Sequence, residues 1–542
     1  MGLKKHLWVL LPLIFLGLFA MKTFIGSAYF DGHDSQAHIV RLYQYDLALK
    51  DGQVPPRWAG DLLAGYGYPV FIFAYPLPYI ISEAFHLLGA SLAVSIKLTT
   101  VLGYLFSIIT MYFFATAYWQ SKKAGFLSAI LWGYAPYIFV KIFITGSLGV
   151  VTSYAFIPLF FLLLHRLTQK PNLKNSVYLS LATASWVLSH LITPIIFSPL
   201  IVLFIVFHSK KKTFKQTFSY LFLSGLITLG LIAWFILPAL LELQYTHFAD
   251  FVTHAYTDNF VSFKRLLYSK WGTGAPGWSD NPLSQQVGIA QWLTIALAIV
   301  FALRQTSKKL YPFLITFFLS IFLMLKISQP VWDFFPLLPI VHIPWRFLSL
   351  TVFTAAISAG FLITVSKKPL IKNLLLLFLI TLALYANRNH LRINEKIVYS
   401  QEFFDKYTGV ATGWNEHLPI WVKKMPEDFP QEKLEVINGQ CNTASLVNQS
   451  NLQSFTLDCQ RDSTFQLNTA YYPGWQMIIN DQDITNQVKQ NLSQSNGMIQ
   501  FSTESGNHQL TAQFKDTPLR QATQIISFFS FLGVIYLLLK RV

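Results

Sequence analysis

The chain has 542 residues, of which 53% are hydrophobic and only 12% are charged. Soluble proteins carry about 25% charged residues, so this composition predicts a polytopic membrane protein and excludes an ordinary soluble enzyme. The formal net charge is +16, but the basic residues form short clusters between apolar runs, as in cytoplasmic loops. No basic stripe or nucleic-acid-binding motif accompanies them, so we expect membrane lipids and no nucleic acid among the partners.

Apolar runs of about 17 to 25 residues predict about twelve membrane-spanning helices. The runs are 7–29, 92–118, 124–143, 150–168, 176–190, 192–208, 217–238, 287–303, 309–326, 347–365, 371–386 and 520–538. No small-residue cleavage site follows the first run, so we expect a retained helix rather than a signal peptide. The predicted fold class is therefore an α-helical polytopic membrane protein.

The basic clusters predict the orientation of these spans. They are Lys4-Lys5, Lys122-Lys123, Arg166 with Lys170 and Lys174, Lys210-Lys211-Lys212, Arg304 with Lys308-Lys309, Lys367-Lys368 and Lys540-Arg541. Counting spans between them puts every cluster on one side, which the positive-inside rule identifies as the cytoplasm. Both termini are then cytoplasmic, and the long polar loops are extracytoplasmic. Because no internal repeat is visible, this layout favours a surface enzyme over a carrier with a midplane site.

The first external loop, 30–91, begins with a concentration of ionisable residues from Asp31 to Arg41. Asp34, His38 and Arg41 are spaced to share one face of a helix. Ionisable residues beside a membrane span are costly and usually mark a functional site. The carboxylate could activate a hydroxyl, and the basic groups could contact phosphate oxygens. The alternative is that Asp31 or Asp34 caps a surface helix while Arg41 reaches lipid headgroups.

The same run raises the question of a metal. His33, Asp34 and His38 are residue types that ligate zinc or manganese. The two histidines are five residues apart, however, and this spacing does not place them on one helical face. We therefore expect no cofactor and no required metal, while a divalent ion remains an alternative.

Two further arginines stand beside tryptophans at predicted membrane interfaces, in Arg57-Trp58 and Trp345-Arg346. A guanidinium matches phosphate oxygens in two contacts, so both arginines are candidates for binding a lipid-linked phosphate. The alternative is an interfacial tryptophan belt with arginines facing headgroups.

Two more polar positions border predicted spans. Ser189-His190 lies where two short spans meet and is more typical of a helix-packing hydrogen bond than of a nucleophile pair. No third member is identifiable, so a hydrolase triad is rejected. Glu242 directly follows a span and either lines the same chamber as His190 or is a solvated loop residue.

The polar segment 387–519 predicts a small domain before the last helix. Its second half contains alternating, strand-like runs separated by turns at Asn480-Asp481, Asn496-Gly497 and Ser505-Gly506, which suit tight hairpins. We expect a small antiparallel β-sandwich on the extracytoplasmic side. Both cysteines of the chain, Cys441 and Cys459, lie here. An oxidising exterior permits a disulfide between them, with two free thiols as the alternative.

Several motifs together carry a resemblance to a known family. They are Asp34-x-x-x-His38-x-x-Arg41, Gly52-x-x-Pro55-x-Arg57-Trp58, Gly65-Tyr66-Gly67-Tyr68-Pro69, Ser189-His190, Trp234-Phe235-x-x-Pro238-Ala239-x-x-Glu242, Pro344-Trp345-Arg346-Phe347 and Glu416-His417-Leu418-Pro419. They resemble a bacterial membrane-protein family labelled 6-pyruvoyl-tetrahydropterin synthase-related. The run from Tyr471 to Trp475 is similar to the closing domain of the related YfhO-type membrane proteins.

This group is similar in layout to the GT-C glycosyltransferases. The resemblance implies a membrane domain over 1–386, an extracytoplasmic β-domain over 387–519, and a final helix with a cytoplasmic tail over 520–542. It also implies transfer of a sugar from a polyprenyl-phosphate donor to a glycan, lipid or protein acceptor of the bacterial cell envelope. The reaction would occur at the outer face of the plasma membrane.

The resemblance also implies roles for individual residues. Asp34 or Asp31 would be the catalytic base with His38 beside it. Arg41, Arg57 or Arg346 would hold the donor phosphate. The cavity would be lined by His190, Glu242 and Trp345. Where relatives carry Arg-Gly-x-x-x-Glu, this chain has Thr145-Gly146-Ser147-Leu148-Gly149-Val150. The alternatives to an enzyme are a lipid or polysaccharide transporter and a non-catalytic scaffold of envelope assembly.

Overall fold

A computed structural model of the chain describes residues 3–252, 256–276, 279–365 and 368–540. Helices dominate up to residue 390, and a β-rich domain precedes the last helix. This agrees with the predicted combination of a helical membrane protein and a β-rich domain. Lys367 and Arg541, which belong to two of the predicted cytoplasmic clusters, lie outside the described residues.

The helices are numbered here in chain order. The first ten are α1 (Leu7–Ala20), α2 (Ser35–Lys50), α3 (Val70–Phe73), α4 (Leu77–Leu87), α5 (Leu92–Trp119), α6 (Lys122–Gly133), α7 (Pro136–Phe139), α8 (Leu148–Gln169), α9 (Leu173–Ser189) and α10 (Ile192–His208). The others are α11 (Phe214–Leu241), α12 (Phe248–Val252), α13 (Phe263–Leu267), α14 (Ile289–Arg304), α15 (Tyr311–Met324), α16 (Gln329–Phe334), α17 (Leu348–Val365), α18 (Pro369–Asn387), α19 (Gln401–Asp405), α20 (Thr485–Asn491) and α21 (Pro518–Leu539).

A helix lies in each of the twelve predicted apolar runs, but the count of twelve spans is not confirmed. Within the described residues, six helices are long and apolar enough to cross a membrane, or up to eight if two bent pairs each form one span. Helices α1, α10 and α14 are apolar but shorter. The 14 residues of α1 fall short of the roughly 20 that cross a bilayer without help from flanking segments.

One of the bent pairs shapes the region around the candidate site. Helix α6 ends at Gly133, and the next helical segment, 136–144, continues at an angle of 48°. Pro136 stands at the break; it has no backbone N–H to donate and disfavours a helical residue before it. The second half of this segment, Val140–Ile144, is one turn of π-helix. Such turns are rare and often occur at functional sites.

The basic clusters meet at one end of the helix bundle. Lys122 donates to the carbonyl oxygen of Lys5 at 2.6 Å, and Tyr118 donates to that of Lys309 at 2.6 Å. The ring of His165, near the end of α8, lies 5.3 Å from the ring of Tyr118. Helix α8 therefore ends at the basic end. It begins roughly 30 Å away, given 1.5 Å of rise per residue, at the opposite end of the bundle.

The β-rich domain consists of two antiparallel sheets. Its strands are β3 (Leu434–Asn438), β4 (Cys441–Asn448), β5 (Leu452–Cys459), β6 (Ser463–Ala470), β7 (Trp475–Ile479), β8 (Gln482–Asp483), β9 (Met498–Thr503) and β10 (Gly506–Phe514). One sheet has the order β4-β5-β10-β7-β8 and the other β3-β6-β9. Cys441 and Cys459 are opposite each other in β4 and β5, and their sulfur atoms are bonded.

The segment 388–433 is largely irregular and contacts the first external loop. Strand β1 (Tyr29–Phe30), just before Asp31, pairs with β2 (Lys396–Ile397) in this segment. The amide groups of Leu63 and Ala64 donate to the carbonyl oxygens of Gly409 and Thr408, each at 2.9 Å. The strands of the two sheets thus occupy 434–514, while the earlier part of the predicted domain covers the loop that contains the candidate site.

Candidate active site

Asp34 joins two turns from distant parts of the chain. The amide group of Asp34 donates to the carbonyl oxygen of Thr145 at 2.8 Å, and that of His33 donates to Ile144 at 3.1 Å. The Asp34 carboxylate accepts a hydrogen bond from the Ser147 hydroxyl at 2.7 Å. It makes no side-chain capping bond to α2, although it precedes that helix. Helix capping therefore does not explain this carboxylate.

The two turns approach so closely that glycine is required. A Cβ atom on Gly146, whose φ is +63°, would lie 2.5 Å from the Ser35 hydroxyl oxygen. A Cβ atom on Gly149 would lie 2.3 Å from the ring of Tyr75. Contacts under 3 Å are too short for carbon and oxygen atoms that are not bonded to each other. The absence of these side chains lets α2 and the loop around Tyr75 pack against the start of α8.

His38 is a buried, fully hydrogen-bonded histidine, with 2% of its surface exposed. Its Nε2 accepts from the amide group of Leu148 at 3.3 Å, so in the neutral ring Nδ1 carries the proton and donates to the Tyr79 hydroxyl at 2.7 Å. Burial and then the nearby Arg41 lower the pKa of His38 to about 3. His38 is therefore neutral at pH 7, and it fixes α2 against α4 and α8 instead of carrying a charge.

Arg41, one turn further along α2, is held by two neighbours. Its Nε donates to the carbonyl oxygen of Ala411 at 2.7 Å, and its Nη1 donates to the Tyr79 hydroxyl at 3.3 Å. The charge of Glu416 also acts on it. The second terminal nitrogen of the guanidinium makes no hydrogen bond with the described residues. Arg41 is thus oriented by the protein while part of its donor set stays available.

Two more cations lie near Asp34. Arg346 donates through Nη1 to the carbonyl oxygen of Val341 at 2.9 Å, and the Asp34 charge acts on it. Lys141, in the π-helical turn, has its ammonium group 4.7 Å from the centre of the Trp345 ring. Asp34 and Arg346 both act electrostatically on Lys141. Burial of cations is costly unless anions or aromatic rings stabilise them, so this region favours an anion.

Tyr75 is close to these charged groups. The charges of Arg41, Asp34 and Arg346 all act on it, and its ring is 5.5 Å from the ring of His190. These interactions connect a group of residues that we call the Asp34 cluster. It consists of Asp34, His38, Arg41, Tyr75, Tyr79, Lys141, Ser147, His190, Trp345 and Arg346.

His190 and Ser189 do not form a nucleophile pair. The Ser189 hydroxyl donates to the carbonyl oxygen of Ser185 at 2.7 Å. His190 accepts through Nδ1 from the amide group of Thr193 at 3.2 Å, which holds the start of α10.

The irregular segment 388–433 closes over Arg41 with aromatic and charged side chains. The ring of His417 stacks on that of Phe73 at 4.4 Å and faces that of Phe248 at 5.9 Å. The Glu416 carboxylate accepts from the amide group of Trp414 at 3.0 Å. Burial lowers the pKa of His417 to about 4, although the neighbouring Glu416 charge opposes this. Both residues therefore belong to the cover of the site.

Asp31 occupies a different position from Asp34. Its side chain is exposed and lines a cavity of about 420 Å³ together with His33, Gln36 and Tyr399. The Asp34 side chain is not part of the lining of that cavity. Asp31 and Asp34, the two candidates for the catalytic base, therefore have different surroundings.

The residues considered as alternative metal ligands have other partners. His33 is hydrogen-bonded through Nε2 to the carbonyl oxygen of Thr273 at 2.6 Å, and both ring nitrogens of His38 have protein partners. Over the described part of the chain, no group of three histidine, cysteine or acidic residues is arranged to hold a metal ion.

The structure corrects the expectation that Glu242 lines the same chamber as Asp34. Glu242 is 2% exposed and accepts two hydrogen bonds from Arg520, from Nε at 2.9 Å and from Nη2 at 2.7 Å. Arg520 is in α21, and Tyr472 of the β-rich domain donates to the same carboxylate at 3.3 Å. Both carboxylate oxygens of Glu242 accept hydrogen bonds from Arg520. Glu242 therefore links the end of α11 to α21 and to the β-rich domain.

Arg57 lies near Glu242 and Arg520 and is not part of the Asp34 cluster. Its Nε lies 3.5 Å from Asp516, and its Nη2 donates to the carbonyl oxygen of Trp234 at 3.2 Å. Its guanidinium is also affected by Arg520 and Glu242. We call Arg57, Glu242, Tyr472, Asp516 and Arg520 the Glu242 junction. The expectation that Arg57 binds a donor phosphate with Arg41 and Arg346 is therefore corrected.

Sequence reasoning missed several members of the site. Lys141 is a lone charge inside a predicted span, and that signal could have identified it because such charges are costly in a membrane. Glu416 and His417 were part of a family motif, but the sequence did not indicate that they lie near Arg41. Nothing in the local sequence distinguishes Ser147, Tyr75 or Tyr79 from other polar residues at span edges, because their roles arise from contacts between distant segments.

The fold and the site define a polytopic helical membrane protein with a charged cluster at one end of its bundle and a β-rich domain before its last helix. A family model described as "6-pyruvoyl-tetrahydropterin synthase related domain; membrane protein" matches residues 72–390. The chain belongs to this family.

Two kinds of relative are similar to it. An uncharacterised protein of Lactococcus lactis subsp. cremoris (strain MG1363) is 25% identical over 240 residues, which are 43% of this chain and 39% of that protein. Two cryo-EM structures of the arabinofuranosyltransferase AftD from Mycobacteria, one of them the mutant R1389S, are 13% identical. Their TM-scores are 0.44 and 0.46, and the matches cover 71% and 73% of this chain. The chain spans 27% and 29% of those two structures.

Proposed function

We propose that the protein is a GT-C type glycosyltransferase that moves a sugar from a polyprenyl-phosphate donor to a cell-envelope acceptor. The observation that carries the proposal is that the basic residues Arg41, Lys141 and Arg346 lie near the Asp34 carboxylate at one end of the bundle. A donor of this class brings an anionic phosphate to the membrane surface, attached to an apolar chain. It therefore needs cations beside apolar helices.

The electrostatics of the cluster favour a phosphate. Charge interactions are stronger in a partly buried site than in water, because the effective dielectric constant is lower. The guanidinium groups of Arg41 and Arg346 each have one nitrogen fixed by a backbone carbonyl. Fixed guanidinium groups can donate two parallel hydrogen bonds to phosphate oxygens. Lys141 adds a third basic group, whose nitrogen lies 4.7 Å from the centre of the Trp345 ring.

Asp34 supplies the base for the reaction. The acceptor hydroxyl attacks the anomeric carbon of the sugar and forms a new carbon–oxygen bond, while the bond from that carbon to the phosphate oxygen breaks. The bonding electrons leave with the polyprenyl phosphate, and the hydroxyl proton passes to the Asp34 carboxylate. Ser147 orients the carboxylate through one oxygen, and the cations stabilise the charge that develops on the leaving phosphate. His38 is a positioning residue in this scheme.

The location of the site supports an extracytoplasmic reaction. Helix α8 begins at the Asp34 cluster and ends at the basic end of the bundle. If the basic end is cytoplasmic, as the positive-inside rule requires, the cluster faces the outside of a bacterial plasma membrane and both termini face the cytoplasm. The β-rich domain then lies on the same side as the site. An acceptor of the cell envelope would be accessible there.

The test is a transfer assay with the purified full-length protein in lipid nanodiscs. The donors are radiolabelled polyprenyl-phosphate sugars, and release of polyprenyl phosphate is measured together with transfer to envelope extracts. We expect release with at least one donor and a loss of roughly 10²- to 10⁴-fold in the Asp34→Asn variant, since this is the range of a general base. Asp481→Asn, an exposed carboxylate in the β-rich domain, is the matched control and should keep full activity.

Two results would contradict the proposal. One is the absence of turnover with every donor, although the protein moves a labelled lipid or polysaccharide across the bilayer unchanged, as a transporter would. The other is an Asp34→Asn variant that transfers sugar as fast as the unmodified protein.

A further inference from the structure

Two polar cavities meet at Gln36, in the first turn of α2. The first is the cavity of about 420 Å³ whose lining includes Asp31, Gln36, Asn394 and Tyr399. The second is a cavity of about 530 Å³ whose lining includes Gln36, Phe403 and Thr408. Gln36 belongs to both linings, so it stands at the boundary where the two cavities meet. We call this surface the Gln36 trough.

The trough presents polar side chains that the protein does not use. Among the described residues, the side chains of Asp31, Gln36 and Asn394 make no hydrogen bond, and all three are exposed. Carboxylate and amide groups carry two polar atoms side by side, so each can bind two neighbouring hydroxyl groups. Tyr399 adds an aromatic ring to the same wall. This combination suits a polyhydroxylated ligand with apolar C–H faces.

The charge of the trough is opposite to that of the Asp34 cluster. Asp31 brings a negative charge to the first cavity, and no lysine or arginine is in its lining. The lysine of the second cavity, Lys406, is paired with Glu402 at 2.7 Å. The trough therefore disfavours a phosphate or another anion, whereas the Asp34 cluster favours one. A ligand in the trough is uncharged or carries an amino group.

The trough shares its wall with the turn that holds Asp34. Ile144 lines the first cavity, and its carbonyl oxygen accepts from the amide group of His33. The adjacent carbonyl of Thr145 accepts from the amide group of Asp34. His33 and Gln36 stand on either side of Asp34 in the chain. The trough therefore borders the backbone turn that carries Asp34.

We propose that the Gln36 trough is the acceptor site and that it binds an uncharged oligosaccharide. The inference rests on the proposed glycosyl transfer, and it names the acceptor as a neutral glycan instead of a lipid or a protein. The two cavities together extend the site over more than one sugar unit. Gln36, Asn394 and Tyr399 would determine which glycan is bound.

The test measures glycan binding without any donor. Full-length protein in nanodiscs is applied to an array of neutral oligosaccharides and of uronic-acid or sulfated oligosaccharides. We expect binding to at least one neutral oligosaccharide and at least a tenfold loss of affinity in the double variant Gln36→Ala/Asn394→Ala. The double variant Gln440→Ala/Asn507→Ala, which removes two exposed amides from the β-rich domain, is the matched control and should bind unchanged. Gln36→Glu, which keeps the size of the side chain, should also change the glycan preference.

The outcomes separate this proposal from the proposed reaction. If a neutral glycan binds in a manner that depends on Gln36 and Asn394 but no donor is turned over, the proposed glycan site is supported and the proposed transfer reaction is contradicted. If transfer occurs but neither binding nor transfer changes in the trough variants, the trough is overturned and the reaction stands. Preferential binding of anionic oligosaccharides, or no binding of any neutral one, also overturns the trough. Asp34→Asn should bind the same oligosaccharide as the unmodified protein.

Discussion

The Asp34 cluster and the Glu242 junction both contain carboxylates and arginines at the edge of apolar helices, but the two regions use them differently. In the junction, Arg520 is completely buried and forms two charge-assisted hydrogen bonds to Glu242. In the cluster, Asp34 accepts one hydrogen bond from Ser147, and its neighbouring cations are held by backbone carbonyls or by aromatic rings. The two arginines of the junction are matched by two carboxylates, Asp516 and Glu242, whereas the arginines of the cluster outnumber its one carboxylate.

This difference separates a structural role from a functional one. A buried charge without a partner is costly, so paired groups such as Glu242 and Arg520 stabilise one arrangement of the chain. Groups whose charges are not neutralised by the protein remain available to a ligand, and perturbed or unpaired charges concentrate at functional sites. Substitutions in the junction should therefore change stability, and substitutions in the cluster should change binding or turnover.

The largest effect is expected from Glu242→Gln. Removing one charge of a buried pair leaves Arg520 uncompensated and costs about 3–5 kcal/mol of stability. Thermal unfolding in detergent, followed by the fluorescence of buried tryptophans, should show a clearly lower melting temperature. Asp34→Asn should leave that temperature nearly unchanged. Equal losses in the two variants would remove the distinction between the two regions.

Arg520→Lys tests the geometry of the junction and not its charge. A lysine keeps the positive charge but lacks the planar group that donates two parallel hydrogen bonds. Losing one charge-assisted hydrogen bond should cost about 1.5–3 kcal/mol, less than the loss of the whole pair. The same unfolding measurement applies, and transfer activity per folded molecule should be unchanged. A stability equal to that of the unmodified protein would mean that charge alone holds the junction.

Arg346→Gln tests the binding role of the cluster. Losing a charge-assisted hydrogen bond to a phosphate, worth about 1.5 kcal/mol, corresponds to roughly tenfold weaker binding. Binding of polyprenyl phosphate to the protein in nanodiscs measures this effect directly. Arg57→Gln is the matched control, because Arg57 is paired with Asp516 in the junction. Equal weakening in both variants would support the expectation from the sequence that Arg57 binds a donor phosphate.

The smallest effect is a dependence of stability on pH. Burial lowers the pKa of His38 to about 3 and that of His342 and His417 to about 4, from an ordinary value of 6.5. The unfolded chain therefore binds protons that the folded chain does not, and stability is lost as the pH falls from 6.5 toward 4. Melting temperatures at pH 7.5, 6 and 5 should decrease in that order.

The same measurement on His417→Phe isolates one of these histidines. Phenylalanine keeps the stacking between Phe73 and Phe248 but takes up no proton. The variant should lose less stability on acidification than the unmodified protein. A loss that is the same or greater would show that other groups control the response.

The sequence by itself determined the class of protein and much of its layout. Apolar runs of sufficient length predict helices because backbone groups inside a bilayer must bond within their own segment, and each predicted run contains a helix. The strand pattern between Phe455 and Phe501 was also readable, because alternation reflects a sheet with one buried face. The number of spans was not readable in the same way, since apolar helices such as the 14-residue α1 are shorter than the roughly 20 residues that cross a bilayer without flanking segments.

The tertiary structure alone decided which charged residues act together. Asp34, Arg41 and Arg346 are brought to one place by the pairing of the first loop with the turn at 144–147 and by the packing of α17 beside it. In the sequence, Glu242 and Arg57 resemble the charged residues of the Asp34 cluster, because they too stand at the edges of apolar runs. Their partners Arg520 and Asp516, however, lie more than 270 residues away along the chain. Local sequence reports the cost of placing a charge near a membrane. Whether the charge is paired with a distant residue or remains available to a ligand depends on contacts that only folding creates.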